Sequence, residues 1–408
     1  MFFFANLSEY NGNIDFNTRE YSDESYVPLR ITPSFFSSLC SPLLYLTMRF
    51  SSFSKFSSLT TSILICFDTS MICEGKFILS DGLLHFFTCL HLTILSYSLS
   101  LSRNTTSYKL WQVLTGLSLG AACSCKNTAL GLCALNGLIH SIELFYEIKH
   151  FSTFYFRELI YRGCVLFLCA FFIYILSFNI HFIVLPYYGQ GNGYLPPDMQ
   201  HQLVDPNLIG HEIWGNRVLG HSLIWRSLEL TLIMHTGNMH ITKFHPYQSR
   251  PIGWPLLTDI KVAFWFEKDR EIACMGNVFT YYFAFFGVFA LFFAWFSEKW
   301  LIAIKFSLGW CVSYLPFFLV PRSMYLYHYL IPLMLGSCAF GAAIDIFIPQ
   351  FLRGIVAAFV CFLVIFGFIL WAPYTYGLPG WDKDVVIWNK NWNTGDAVHQ
   401  ELARKSKT

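Results

Sequence analysis

Long apolar stretches alternate with short polar connections over most of the chain. A stretch of about 20 apolar residues can cross a bilayer as a helix. The first half contains six such stretches: Pro33–Met48, Ser57–Cys73, Ser80–Leu101, Gln112–Cys125, Asn127–Tyr146 and Gly163–Leu185. The second half contains four: Met275–Phe296, Leu301–Val320, Tyr327–Phe347 and Gly354–Pro373. We therefore predict an all-α polytopic membrane protein, a bundle of about ten transmembrane helices.

The region between the two groups of spans is long and polar. It includes HPYQSRPIGWPLL, in which three prolines exclude a regular helix and the polar groups require partners. We divide the chain into residues 1–185 (N-terminal segment and first six spans), 186–274 (long loop), 275–373 (last four spans) and 374–408 (C-terminal tail).

Basic residues give the predicted orientation. Every second short connection carries Lys or Arg, so these connections should be cytosolic. The N-terminal segment, the long loop and the tail then face the opposite side, which in a eukaryotic cell is the lumen of the endoplasmic reticulum. A lumenal N-terminus without a preceding span or signal peptide means either that the N-terminal segment is translocated unaided or that an earlier span is missing.

Composition supports the membrane class. The 408 residues are 55% hydrophobic and only 13% charged, whereas soluble domains carry about 25% charged residues. A net charge of +2 gives no case for nucleic acid. The cysteines lie in apolar runs and the histidines lack zinc-type spacing, so we predict neither a disulfide framework nor a metal site.

Cations and ring side chains cluster at the predicted outer membrane edge. Guanidinium groups suit phosphate oxygens, and aromatic rings can stack on a sugar. The candidate binding residues are Arg30, His245, Tyr247, Arg250, Trp254, Arg322, His328 and Tyr329. They indicate a lipid-linked phosphosugar whose head group lies at the interface. The alternative is an aromatic belt with snorkelling cations.

A family resemblance runs through nearly the whole chain. Its motifs are YNGNIDF with YVPLR, LTTSILICFDTSMICEGKFILSDGLLHFF, LTGLSLGAACSCKNTALGL, GQGNGYLPPDMQHQL, HPYQSRPIGWPLL, PRSMYLYHYLIP and APYTYG. In this order they resemble the dolichyl-phosphate-mannose:protein O-mannosyltransferases, membrane enzymes of the GT-C class. HPYQSRPIGWPLL is the most specific match.

The resemblance implies a GT-C-like bundle in the endoplasmic reticulum membrane that transfers mannose to Ser/Thr hydroxyls of secretory proteins. It implies dolichyl phosphate mannose as the donor substrate, no certain cofactor, and a homo- or heterodimer with another family member. Asp81 matches a family aspartate that we interpret as structural.

Two departures from the family pattern stand out. The long loop is too short for a β-trefoil MIR domain, and the acidic Asp-Glu pair that serves the family as the presumed general base is not present. The catalytic residue is therefore unknown, with Asp23 and Glu24 as weak candidates. We keep two alternatives to an active enzyme: an inactive paralogue serving as a partner subunit, and a membrane protein that binds or transports a lipid-linked sugar.

Overall fold

The computed structural model describes residues 24–103, 105–184, 193, 195–200, 203, 222–259, 261–267, 270–379, 388–389 and 391–392. Helices dominate these regions. Six of the described helices are long and apolar enough to cross a membrane, and a bent pair raises the number to seven. The helical polytopic class is thus confirmed, but the count of ten transmembrane helices is not. The four-part division of the chain stays a prediction.

The predicted spans of the first half correspond to helices or pairs of helices. These are α1 Val27–Ser38, α2 Cys40–Phe50, α3 Lys55–Cys66, α4 Thr69–Gly75, α5 Asp81–Ser100, α6 Thr106–Cys125, α7 Leu130–Ile148 and α8 Thr153–Val184. α1 and α2 are separated by Leu39 alone, and α3 and α4 form a pair bent by 56°.

Asp68 explains the bend between α3 and α4. Its Oδ1 accepts a hydrogen bond from the Met71 backbone N–H at 2.9 Å, which caps the start of α4. Its Oδ2 accepts one from the Asn277 backbone N–H at 3.0 Å. One buried carboxylate therefore satisfies donors in two segments and fixes the direction in which α4 leaves α3.

The second half also contains the predicted spans. Its elements are α9 Pro197–Gln200, α10 Leu223–Met239, β1 Val262–Glu267, β2 Arg270–Cys274, α11 Val278–Phe292, α12 Trp300–Tyr314, α13 Leu330–Phe347 and α14 Arg353–Tyr376. A 3₁₀ turn, Leu326–Tyr329, leads directly into α13.

The long loop is more structured than the sequence suggested. It contains helix α10, and β1 pairs antiparallel with β2 from Val262↔Cys274 to Glu267↔Arg270. This hairpin is an addition to the predicted helical bundle that the sequence did not indicate. β1 starts with five consecutive apolar residues and has no period-two alternation. Strand pairing also depends on contacts across the chain that the local pattern does not contain.

Small residues allow the helices to pack closely. A Cβ at Gly120 of α6 would lie 2.4 Å from the carbonyl oxygen of Ala170 in α8, and one at Gly287 of α11 would lie 2.4 Å from the backbone of Phe340 in α13. Close backbone approach at glycine is the usual way in which helices associate without a hydrophobic driving force. α13 is the most deeply enclosed of the candidate spans.

Polar clusters mark the two ends of the bundle. α13 begins beside His328 at one end, here named the Asp81 end, and finishes just after Asp345 at the other, here named the Asp345 end. The Asp345 carboxylate is buried and accepts hydrogen bonds from the Ser57 hydroxyl at 2.8 Å and the Lys299 ammonium at 2.9 Å. Arg353 completes this cluster at 3.3 Å.

Candidate functional site

The two segments richest in predicted binding residues pack against each other at the Asp81 end. The Ser249 backbone N–H donates to the Met324 carbonyl oxygen at 2.8 Å, and the Ser323 hydroxyl donates to the Lys243 carbonyl oxygen at 2.7 Å. The ring centroids of His245 and Tyr325 lie 5.3 Å apart. The sequence placed both segments at one membrane edge, and the structure brings them into direct contact.

Trp254 and Tyr329 are interior anchors. Both side chains are fully buried. The Trp254 indole donates to the Ser249 hydroxyl at 2.8 Å, and the Tyr329 hydroxyl accepts from the Trp310 indole at 2.8 Å. A side chain without exposed surface cannot stack on a sugar. We therefore replace the interpretation of these two residues as direct contacts with one in which they hold the segments in place.

His328 connects these anchors to a cleft. Its ring lies parallel to Trp254 with centroids 6.2 Å apart, and its centroid is 4.7 Å from that of Tyr327. The cleft has an empty volume of about 210 Å³. Its walls are Asp81, Leu84, His85, Lys126, Thr128, Tyr327, His328 and Ile331. Of the predicted binding residues, His328 is the one that lines this cleft.

An ion pair forms the polar wall of the cleft. Lys126, between α6 and α7, donates to both carboxylate oxygens of Asp81 at the start of α5, at 2.7 and 2.8 Å. The Asp81 side chain is 5% exposed and the Lys126 side chain 35%. The lysine is therefore the member of the pair that a ligand can reach. The ammonium also lies 5.3 Å from the Tyr327 ring centroid. Asp81 thus pairs with a cation at the cleft and does more than begin a helix.

A second carboxyl group lies behind this pair. Glu74 is 1% exposed, and its charge interacts with both Asp81 and Lys126. The Cys274 thiol is its hydrogen-bond partner. Within the described residues, no donor reaches its Oε1 atom. A buried polar atom without a partner is costly, and such atoms are concentrated at functional sites.

Two cationic residues, Arg30 and Lys76, are in contact near the start of α1. The Arg30 Nε group donates to the Lys76 carbonyl oxygen at 2.9 Å, and the Lys76 ammonium donates to the Thr375 carbonyl oxygen. It also lies 4.4 Å from the Tyr376 ring centroid. Burial lowers the pKa of Lys76, Cys73 opposes this shift, and the positive charge of Arg30 adds to it. Two positive charges held this close together are suited to binding one anion.

The other predicted residues are distributed more widely. Arg322 donates from Nη1 to the Asn238 side chain at 2.7 Å and so joins the turn before α13 to α10. Arg250 is exposed. Partial burial lowers the pKa of His245, so its ring is neutral at neutral pH. Burial, with a smaller contribution from Glu271, raises the pKa of Tyr247 and keeps its hydroxyl a donor.

The two weak catalytic candidates come just before α1 in the chain. Glu24 is exposed, just before α1. Asp23 lies outside the described residues. Within those residues, no group of three or more His, Cys, Asp or Glu side chains is placed to hold a metal ion.

Comparison with known proteins identifies the family. A family model described as dolichyl-phosphate-mannose-protein mannosyltransferase matches residues 1–186. A second model, the C-terminal four-transmembrane region of protein O-mannosyltransferase, matches residues 224–392. Together they cover most of the chain. The chain belongs to the protein O-mannosyltransferase family.

Several O-mannosyltransferases of yeasts are similar in sequence. Dolichyl-phosphate-mannose–protein mannosyltransferase 2 of Candida albicans is 32% identical over 220 residues, which are 51% of this chain and 28% of that protein. Mannosyltransferase 3 of Saccharomyces cerevisiae is 35% identical over 212 residues, 48% of this chain and 27% of that protein. The matched region is thus less than a third of each relative.

Solved structures support the fold. The Saccharomyces cerevisiae O-mannosyltransferase Pmt1–Pmt2 complex bound to its sugar donor matches with a TM-score of 0.82 at 17% identity, covering 97% of this chain and 85% of that one. An oligosaccharyltransferase of Archaeoglobus fulgidus matches at 0.50 and 11% identity, over 89% of this chain and 43% of that one. The predicted GT-C-like bundle is therefore confirmed.

Three charged residues at the Asp81 end are not among the residues predicted from the sequence. Lys76, Lys126 and Glu74 all interrupt or border apolar stretches. Ionisable groups within membrane segments are rare and usually functional, and this signal was available. The sequence does not show that Lys126 pairs with Asp81, because the two residues are 45 positions apart.

Proposed function

We propose that this chain transfers mannose from dolichyl phosphate mannose to Ser and Thr hydroxyls of secretory proteins. The carrying observation is the charged group at the Asp81 end, where Lys126 and Asp81 form the wall of a cleft in front of the buried Glu74. The names of the curated relatives and the donor-bound state of the Pmt1–Pmt2 complex support the same reaction.

The departing phosphate requires cations. Negative charge develops on it as the bond to mannose breaks, and donors placed in advance stabilise that charge. Arg30 and Lys76 supply two such groups at the membrane edge, and the Arg30 fork suits phosphate geometry. We assign the donor phosphate to these two residues, with Arg322 and Arg250 as outer cations. Lys126 and His328 border the sugar.

The acceptor hydroxyl must lose a proton as it attacks, and a carboxylate is the usual base. Glu24 is exposed and precedes Arg30 on the same end of the bundle, so it remains a candidate together with Asp23. Glu74 is too deeply buried to meet a protein hydroxyl. Its place behind Lys126 suits an electrostatic role, in which Glu74 influences the ion pair of Lys126 and Asp81.

The cellular setting follows from the same proposal. We place the chain in the endoplasmic reticulum membrane as a multi-pass protein, with the Asp81 end facing the lumen. The Pmt1–Pmt2 complex supports pairing with another family member. One observation favours the alternative of a non-catalytic partner subunit: of the two carboxyl groups at the cleft, Glu74 is 1% exposed and Asp81 is already paired with Lys126.

Membranes containing the full chain, alone or co-expressed with an active family member, would test the proposal. The assay measures transfer of radiolabelled mannose from a short-chain polyprenyl phosphate mannose to a Ser/Thr-rich peptide. The rate should fall about tenfold or more in Arg30→Met and in Lys76→Met. Lys55→Met, an exposed cation outside the site, is the matched control and should retain activity.

Co-expression separates the two candidates. Transfer that requires the partner but is unaffected by Arg30→Met and Lys76→Met would identify a supporting subunit. Absence of transfer by the chain alone, with no increase over the rate of the partner alone on co-expression, would exclude the catalytic proposal.

A further inference from the structure

A second cavity lies near the other end of the bundle, between α2, α5, α7 and α12. Its empty volume, with the open mouth included, is about 560 Å³ and exceeds that of the cleft. Ser52, Ser100 and Ile302 on its wall are exposed, so the cavity opens to the surroundings. Nothing in the proposed mannosyl transfer uses it.

A buried cation points into this cavity. The Lys305 side chain, from the middle of α12, is 8% exposed. Its ammonium donates to the Ser51 hydroxyl at 2.8 Å and to the Ser96 hydroxyl at 3.2 Å, and both serines are buried. Among the described residues, no carboxylate forms an ion pair with it. A lysine surrounded by neutral hydroxyls can bind an anion, and the same hydroxyls can donate hydrogen bonds to that anion.

The opposite charge is present on another wall. Glu143 of α7 lines the cavity and interacts electrostatically with Lys305. Arg103 binds it from the surface at 3.2 Å. Positive and negative groups are thus held apart on two walls of one cavity, and neither neutralises the other by direct contact.

The remaining walls are apolar. Leu99, Ile139, Leu301 and Leu308 line the space between the two charged groups. A free inorganic anion would gain nothing from these walls, whereas a lipid would bury hydrocarbon against them. The required ligand therefore combines an anion, a cation and hydrocarbon.

We propose that this cavity is a binding site for a zwitterionic glycerophospholipid. The lipid phosphate binds Lys305, Ser51 and Ser96, its ammonium group faces Glu143, and its glycerol and upper acyl chain lie along the apolar walls. The site is separate from the donor site because it lies towards the Asp345 end. A binding measurement therefore tests it independently of mannosyl transfer.

Native mass spectrometry of the purified full chain, supplied with short-chain phosphatidylethanolamine or phosphatidylglycerol, would test the proposal. Wild type should retain phosphatidylethanolamine, and Lys305→Met should lower retention about tenfold or more. Lys55→Met, an exposed cation at the same end, is the matched control and should retain the lipid as wild type does. Glu143→Gln should remove the preference for phosphatidylethanolamine over phosphatidylglycerol.

Two further arms keep the test decisive. Ser96→Ala retains the charge and the fold and should weaken retention less than Lys305→Met, which gives a result even if Lys305→Met does not fold. Inorganic phosphate at millimolar concentration should not displace the lipid. Equal retention by wild type, Ser96→Ala and any folded Lys305→Met protein would overturn the site, and displacement by phosphate would overturn its assignment to a lipid.

Discussion

The two ends of the bundle surround a buried aspartate with different sets of groups. At the Asp345 end, serine, lysine and arginine donors surround the carboxylate, and its side chain has no exposed surface. At the Asp81 end, the ion-pair partner is a lysine with about a third of its side chain exposed, beside a glutamate with an unpartnered oxygen.

The difference separates stability from function. A fully satisfied buried carboxylate joins helices and has no bonding capacity left for a ligand. Lys126 and Asp81 line a cleft, so a substrate bound there can replace part of the bond between them. The comparison therefore predicts that equivalent charge changes at the two ends affect different properties.

The largest expected effect is on activity at the Asp81 end. Lys126→Met should reduce mannosyl transfer about 100-fold or more, because the cleft loses its cation and Asp81 keeps an unpaired charge. Initial rates over a range of donor concentrations would measure it. Full activity in a folded Lys126→Met protein would remove Lys126 from the site and end the contrast between the two ends.

The next effect is on stability at the Asp345 end. Asp345→Asn should lower the free energy of unfolding by about 2–3 kcal/mol, less than for a wholly buried pair because Lys299 and Arg353 are partly exposed. Thermal unfolding in detergent would measure the loss. Activity per folded molecule should stay unchanged, and a lower rate with unchanged stability would contradict the assigned role.

The smallest effect concerns a residue between the segments at the Asp81 end. Trp254→Phe removes the hydrogen bond to Ser249 and part of a buried ring, which should cost about 1–3 kcal/mol of stability. Because Trp254 is fully buried, the KM for the donor should not change. A raised KM at normal stability would instead restore the original interpretation of Trp254 as a sugar contact.

The sequence predicted the spans well because apolar length is a local property. Each predicted span corresponds to a helix or a pair of helices. The hairpin β1–β2 and helix α10 were missed for a different reason. α10 mixes apolar residues with polar ones such as Arg226, Glu229 and His235, so its pattern is not that of a membrane span. The β-strands depend on their partners, so their local pattern is not distinctive either.

The residue types of the candidate site could be predicted from the sequence, but their burial and their pairing could not. Residue types indicated cations and rings at one membrane edge, and the segments of His245 and Tyr325 do meet there. Sequence cannot tell an aromatic ring that faces a ligand from one that fills the interior, as Trp254 demonstrates. It also cannot pair Lys126 with Asp81, because that contact depends on how α5, α6 and α7 pack.

The bend at Asp68 has a consequence for the lengths of the helices around it. α3 has 12 residues and α11 has 15, so they are about 18 and 22 Å long, against a hydrocarbon thickness of about 30 Å. The two helices meet through Thr280 and the Leu64 carbonyl oxygen. The 24-residue helix α14 packs against both of them through Val364, which contacts Leu64 and Phe279. The bend therefore leaves two short helices whose apolar length is completed by a longer neighbour.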